Sequence, residues 1–198
     1  MRSSILLLLT TLAGGAAFGQ REFTVYELLP PETHRFAIVY DVSTSTEGAK
    51  FYLNPIRPGS KVSDERVIDL ATGKELKFGN IDGKAAKAAG VRRANVADED
   101  LFLKVDFAAP VPKNGQARIR IYKVYEDAKS YGAQGDKIVF DRPLGIRRNV
   151  VVLPVGYELI GSSVPSIVST QPDGRVRVSM LNDRDDQLPV KITGRRLP

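Results

Sequence analysis

The chain has no cysteine, no tryptophan, one histidine and two methionines in 198 residues. Without cysteine there are no disulfides, thiolate metal sites, thiol nucleophiles or redox switches. A single histidine rules out a His-Glu-x-x-His zinc site, which needs two. It also leaves His34 as the one base for a Ser-His-Asp arrangement, and His34 sits just after "PPET" at the start of a strand-like segment. Its expected role is that of a surface or strand-start residue. The sequence has no Gly-x-Ser-x-Gly elbow, the turn that presents a hydrolase serine. "GKAAKAAG" (83–90) lacks the Gly-Lys-Ser/Thr ending of a phosphate loop. With no tryptophan, sugar stacking would rest on Tyr122, Tyr125 and Tyr131, of which Tyr125 and Tyr131 are the candidates for exposure. No cofactor is expected.

The N-terminus carries the layout of a leader. "MRSSILLLLTTLAGGAAFGQ" places Arg2 ahead of an apolar run from Ile5 to Leu12. Small residues follow, with Ala17 and Gly19 at the −3 and −1 positions of a cleavage site. This is the pattern of a secretory signal peptide, and the run is short against the roughly 20 residues that span a bilayer. The expected division is a signal peptide over 1–19 and one domain over 20–198, exported to the periplasm or outside the cell. No later stretch is apolar enough to be a transmembrane segment of the mature chain. A domain of about 150 residues buries roughly 70% of its unfolded surface, so the missing disulfide staples are no obstacle.

The formal charge is +6, and the arginines come as scattered pairs. A nucleic-acid binder concentrates such charge on one face or in a known module, so no specific nucleic-acid partner is expected. Two pairs, Arg118/Arg120 and Arg175/Arg177, have strand spacing and share a sheet face. With Arg147 and Arg148 they are the candidate contacts for an anionic envelope polymer or lipid surface; the plainer reading is a solvated face.

After the leader the dominant order is alternation at period two, the mark of antiparallel strands with one wet face. "HRFAIVYDV" puts Phe36, Ile38 and Tyr40 on one side. "LFLKVDF" puts Leu101, Leu103, Val105 and Phe107 on one face and Lys104 and Asp106 opposite. "ARIRIYKVY" points Ala117, Ile119 and Ile121 inward and Arg118 and Arg120 outward. "RVRVSML" points Val176, Val178 and Met180 inward. "NVVVLP" (149–154) is apolar on both faces and suits a covered central strand. Gly73, Gly174 and "PKNGQ" (112–116) supply turns where glycine accepts a positive φ. The expected fold is all-β: a single antiparallel β-sandwich of roughly nine to eleven strands. The segment 82–100 reads as a surface loop with one or two helical turns between Gly83 and Gly90.

Sites for chemistry are few. Asn182, Asp183, Asp185 and Asp186 in "LNDRDDQLP" are weak candidates for Ca²⁺, which takes six to eight oxygens. The EF-hand spacing is absent, Arg184 interrupts the cluster, and a hairpin turn explains the same residues. A glycosidase-like pair would have to come from Glu27, Glu32, Asp41, Asp106, Glu126 and Asp141, all at strand ends or outward positions.

One stretch resembles a known family. In "RRNVVVLPVGYELIGSSVP", Leu153, Pro154, Gly156 and Tyr157 resemble the strand-and-turn pattern of β-sandwich modules at the front of secreted gluzincin aminopeptidases, including the glycyl aminopeptidase type. Here Pro154 ends a ladder for want of an N–H, Gly156 turns the chain and Tyr157 packs back. The zinc-binding helical domain of those enzymes has no counterpart in the sequence. The resemblance therefore implies a sandwich module and not a peptidase. The expected function is a non-catalytic binding or accessory module at the envelope, engaging a protein or an anionic polymer by an edge strand, a strand face or the 82–100 loop. The competing readings are a self-associating envelope protein and a carboxylate-dependent hydrolase.

Overall fold

Alternation resolves into fourteen strands in a computed structural model that describes residues 22–91 and 95–198. The expected leader, 1–19, lies outside the described residues, as do Arg92 and Arg93. The strands are β1 (Phe23–Leu28), β2 (Arg35–Thr44), β3 (Phe51–Ile56), β4 (Lys61–Asp69), β5 (Phe78–Asp82), β6 (Leu101–Asp106) and β7 (Ala117–Glu126). They continue as β8 (Tyr131–Gln134), β9 (Lys137–Leu144), β10 (Arg148–Val152), β11 (Tyr157–Ser162), β12 (Ile167–Thr170), β13 (Val176–Leu181) and β14 (Leu188–Arg196). The count exceeds the expected nine to eleven because short or proline-bearing strands carry weak patterns. β8 and β12 have four residues each, and Pro55 and Pro143 sit inside β3 and β9.

A seven-stranded sheet runs β12-β13-β10-β1-β2-β7-β4. Facing it are a four-stranded sheet, β11-β14-β9-β8, and a three-stranded sheet, β3-β6-β5. One core joins all three: Phe36, Ile38, Ile121 and Val178 from the large sheet, Phe140 and Ile192 from the second, Leu103 and Val105 from the third. Among the described strands β1 and β10 form the one parallel pair, Phe23 opposite Arg148. No hairpin announces that pairing, because the two strands are far apart in sequence.

The inward sets on β2 and β13 are as alternation predicts: Phe36, Ile38, Tyr40, Val178 and Met180 are buried. β10 is buried on both sides from Asn149 to Val152. After it, the Leu153 N–H still bonds Val176 O at 2.9 Å, Gly156 takes φ +79°, and β11 starts at Tyr157, which packs on the core. Gly174 turns β12 into β13 with φ +84°. The "PKNGQ" turn works differently from expectation. Asn114, not Gly115, takes the positive φ, at 57°. The turn does not close a hairpin either, since β6 belongs to the small sheet and β7 to the large one.

β6 departs from a one-sided pattern. Leu101 is exposed while Phe102, on the other face, is buried. Part of the 82–100 segment packs beside this strand as a helix, α1 (Gly83–Ala88), which meets β5 and β6 and is capped by Asp82 Oδ1 accepting from Ala85 N at 2.7 Å. Ala86 of α1 is fully buried. A six-residue helix is marginal alone, so docking sustains it. Gly83 sets that docking. Its N–H donates to Asp98 O at 3.0 Å, and a Cβ there would overlap the carbonyl oxygen of Ala97. Gly83→Ala is expected to destabilise by about 1–3 kcal/mol in urea unfolding, even though alanine is the better helix former by about 1 kcal/mol. Gly79→Ala, with nothing within 4 Å of the new Cβ, should be close to neutral.

Candidate functional site

The two small sheets share no ladder, and the seam between them opens into a cleft of about 690 Å³ over the inner face of the large sheet. Thr24, Tyr26, Ile38, Tyr40, Lys123 and Tyr125 form its floor. Asn54, Ile56 and Arg57 line it from the β3 side, and Arg142, Pro143 and Ile146 from the β9 side. Arg57 Nη1 spans the seam to Pro143 O at 3.4 Å.

Lys123 is the unusual floor residue. Alternation along β7 buries Ile119, Ile121, Lys123 and Tyr125 on one face, and Lys123 is only 5% exposed. The ammonium donates to Asn54 Oδ1 at 2.6 Å and lies 4.9 Å from the Tyr125 ring centre. Burial pushes its pKa down to about 8; the Glu65 carboxylate opposes that and the Arg142 charge adds to it. Glu65 is turned toward this region by an irregularity in β4. The β4–β7 register shifts between Ser63 and Arg66, with Asp64 at φ 54°. Glu65 Oε2 accepts from Asn80 Nδ2 at 2.9 Å, and Oε1 is buried without a partner among the described residues.

Beside the cleft, Arg142 is held by Asp127. Its Nη1 donates to Asp127 Oδ2 at 3.1 Å and to Ser130 Oγ at 3.2 Å, and its guanidinium lies 5.3 Å from the ring centres of Phe36 and Tyr125. Asp127 Oδ2 also accepts from Ser130 Oγ at 2.7 Å and Ser60 Oγ at 3.1 Å. Burial alone would raise the Asp127 carboxyl. The Ser130 and Ser60 hydrogen bonds, the Arg142 charge and the Lys129 N–H outweigh it and hold the pKa below the usual carboxylate range.

A second feature lies at the rim. β12 ends the large sheet, so one side of it carries no neighbour. All four residues are exposed, with Ile167 at 76% and Val168 at 53%. Of the other sheet edges, β4 is guarded by its bulge and charges, β11 by a register shift at Leu159/Gly161 and β3 by Pro55; β8 is a four-residue edge without charge or proline, but it carries no exposed large apolar side chain. β12 has neither charge nor proline.

The candidate arginines share the outer face of the large sheet or its margins but do not form one patch. Arg120 makes a two-pronged contact with Asp41 at 2.6 and 2.7 Å. Arg175 pairs with Glu27 at 3.1 Å and Asp173 at 2.7 Å. Arg148 donates to Glu22 O at 3.3 Å. Arg118, Arg147 and Arg177 make no ion pair among the described residues. β7 and β10 are separated by β1 and β2, about 14 Å at usual strand spacing.

In the 182–186 turn the oxygens are engaged locally. Asn182 Oδ1 accepts from Arg184 N at 3.0 Å, and its amide donates to Leu144 O and Asp186 O. Arg184 grips Asp186 at 2.6 and 3.2 Å. Asp183 and Asp185 are exposed. Among the described residues no group of three or more His, Asp or Glu is placed to hold a metal. Of the six acids considered for hydrolysis, five face a cation: Glu27 with Arg175, Asp41 with Arg120, Asp106 with Lys104, Glu126 with Lys61 and Asp141 with Lys191. His34 precedes β2 at φ 54°, and its Nδ1–H donates to Tyr131 O at 2.9 Å. The tyrosine expectation is corrected: Tyr125 and Tyr131 are buried, at 2% and 1%, because both lie on inward rows.

Sequence reasoning stopped the inward row of β7 at Ile121 and so missed Lys123. The same alternation, carried two residues on, would have found it. The partnership with Asn54 had no such signal, since β3 and β7 meet across layers.

No protein-family model matches the sequence, and no curated protein matches it. Solved structures do match. An M1 zinc metallopeptidase from Deinococcus radiodurans matches at a TM-score of 0.51 and 9% identity, over 88% of this chain and 41% of that chain. The two-domain M1 zinc metallopeptidase bound to L-arginine matches equally well, at 10% identity. An aminopeptidase N family protein from Idiomarina loihiensis matches at a TM-score of 0.50 and 10% identity, over 87% of this chain and 29% of that one. The chain spans about two fifths of the length of the first of these. The resemblance carried by Leu153, Pro154, Gly156 and Tyr157 thus extends to the fold of nearly the whole chain. The chain has the fold of a β-sandwich module of M1 zinc peptidases.

Proposed function

We propose that this protein is an exported, non-catalytic β-sandwich module that acts at the cell envelope by docking a partner protein along β12. The observation that carries the reading is the open, uncharged edge with Ile167 and Val168 exposed. Such an edge offers unpaired N–H and C=O groups for strand addition, and alternate side chains supply selectivity. Ile167 is in register with Ser179 and Val168 with Val178, so the edge presents apolar surface on both faces of the sheet. The likeness to M1 peptidases supports docking further, since there the same fold sits inside a larger polypeptide. Export rests on Arg2, the apolar run and the Ala17/Gly19 site; no helix among the described residues is long and apolar enough to cross a membrane.

The test is chemical crosslinking of the mature chain within its own envelope fraction, with Ile167→Lys and Val168→Lys combined. Charged edge residues block strand addition. Recovery of a defined crosslinked partner should fall about tenfold or more, the equivalent of about 1.4 kcal/mol, while the melting temperature is unchanged. Equal recovery by the double variant would sink the edge as the docking site. A crosslinked species made only of this chain would replace a partner protein by self-association.

A further inference from the structure

We propose that the cleft at the seam between the two small sheets is a binding site for a small organic monocarboxylate with an apolar body. The volume, about 690 Å³, falls within the range of small-molecule sites, which pair apolar walls with a few placed polar groups. Here the apolar walls come from Tyr26, Ile38, Tyr40, Ile56 and Ile146. The cationic groups are Lys123 on the floor, Arg57 at the β3 wall and Arg142 at the β9 wall; Thr24 and Asn54 add neutral polar groups, and Asp100 is the one carboxylate in the lining among the described residues.

Lys123 is the anchor. An ammonium has three N–H donors, and among the described residues Asn54 Oδ1 is the one acceptor it meets. Two donors are left in a buried place, where an unmet charge-bearing group is costly. The charged groups facing it are Glu65 from β4 and Arg142 from β9. Glu65 makes its hydrogen bond with Asn80 instead, and Arg142 makes its own with Asp127 and Ser130. No carboxylate therefore hydrogen-bonds the ammonium. A ligand carboxylate would take the two open donors, and its charge would be balanced by Lys123 and Arg57. Thr24 Oγ1 is buried and without a partner among the described residues. It lies on β1, two strands from Lys123 on β7 and two residues out of register with it, about 12 Å at usual strand geometry. That span suits a linear ligand with its carboxylate at Lys123 and a second polar group near Thr24. A cation or a neutral amide would leave the two ammonium donors or Arg57 without a countercharge.

The experiment titrates the full mature chain with hexanoate and 3-phenylpropionate, and with their amides and hexylamine as controls, by calorimetry. NMR of the Lys123 ε-methylene is followed in parallel. Both carboxylates should bind saturably at millimolar concentration. The amides should bind at least about tenfold more weakly, and hexylamine not at all. The carboxylate should also raise the Lys123 pKa from its depressed value, because a nearby opposite charge favours the charged form. Lys123→Met should abolish carboxylate binding. Arg57→Gln, a half-buried wall residue, should weaken it several-fold and keeps the test decisive where Lys123→Met alters folding. The proposal is overturned by an absence of saturable carboxylate binding, by amides that bind as well as carboxylates, or by binding that leaves the Lys123 pKa unmoved and survives Arg57→Gln.

Discussion

Asp127→Ala is expected to destabilise the protein by about 3–5 kcal/mol in urea unfolding, the range for removing one partner of a buried ion pair. Asp127 and Arg142 are both buried, 3.1 Å apart. The carboxylate takes hydrogen bonds from Ser60, Ser130 and Arg142 at once, so its loss leaves the guanidinium charged among aromatic rings and frees two hydroxyls. The replacement of both partners together, Asp127→Ala with Arg142→Met, should cost clearly less than Asp127→Ala alone, because the stranded charge goes too. A double variant no more stable than the single one would show that the pair matters for something other than charge compensation. The same group sets an acid limit. Its folded pKa is held below the ordinary carboxylate value. Its contribution is therefore complete above the unfolded pKa, about 3.9, and fades as the pH falls through the depressed folded value. Acid unfolding of wild type should contain a component that Asp127→Asn lacks.

Phe36→Ala is expected to cost about 3–5 kcal/mol, as for other buried aromatic-to-alanine changes. Phe36 is fully buried and sits at the centre of the aromatic core. Its ring centre lies 5.5 Å from Phe140 on the opposing layer, 6.1 Å from Tyr125 and 6.5 Å from Tyr131, all edge-on. It also underlies Arg142 at 5.3 Å. The deletion thus opens a cavity between layers and strips a face from the buried cation. Phe36→Leu, which refills most of the volume, should recover more than half of the loss. A cost under about 1 kcal/mol for the alanine variant would mean the site collapses freely, and that the two layers are not pinned where the aromatic cluster indicates.

Much of this fold was legible residue by residue. Phe36, Ile38 and Tyr40 on β2, and Val178 and Met180 on β13, followed from side chains alternating across a strand. Gly156 and Gly174 followed from turns that need a positive φ. Errors fall where a neighbour out of sequence reach decides. Phe102, on the face of β6 that alternation leaves wet, is buried and lines the cleft between the sheets. Tyr125 was a candidate for an exposed stacking surface, but it is buried and its hydroxyl accepts from Arg57 N at 3.3 Å across the seam. At "PKNGQ" the glycine drew the positive φ in the reading, yet Asn114 adopts it, since asparagine also tolerates the left-handed region.

Alternation with period two, punctuated by turn residues, was enough to set an all-β sandwich, and composition and motif spacing were enough to exclude thiol, His-Glu-x-x-His and phosphate-loop chemistry, because those depend on local spacing and on which residue types exist. Three-dimensional packing decided the rest: the parallel neighbour of β1, the bare edge at β12, and the meeting of Lys123 with Asn54 in a cleft between sheets. Such pairings are fixed by how layers stack and where ladders end, and stacking brings together residues whose distance along the chain carries no trace of their contact.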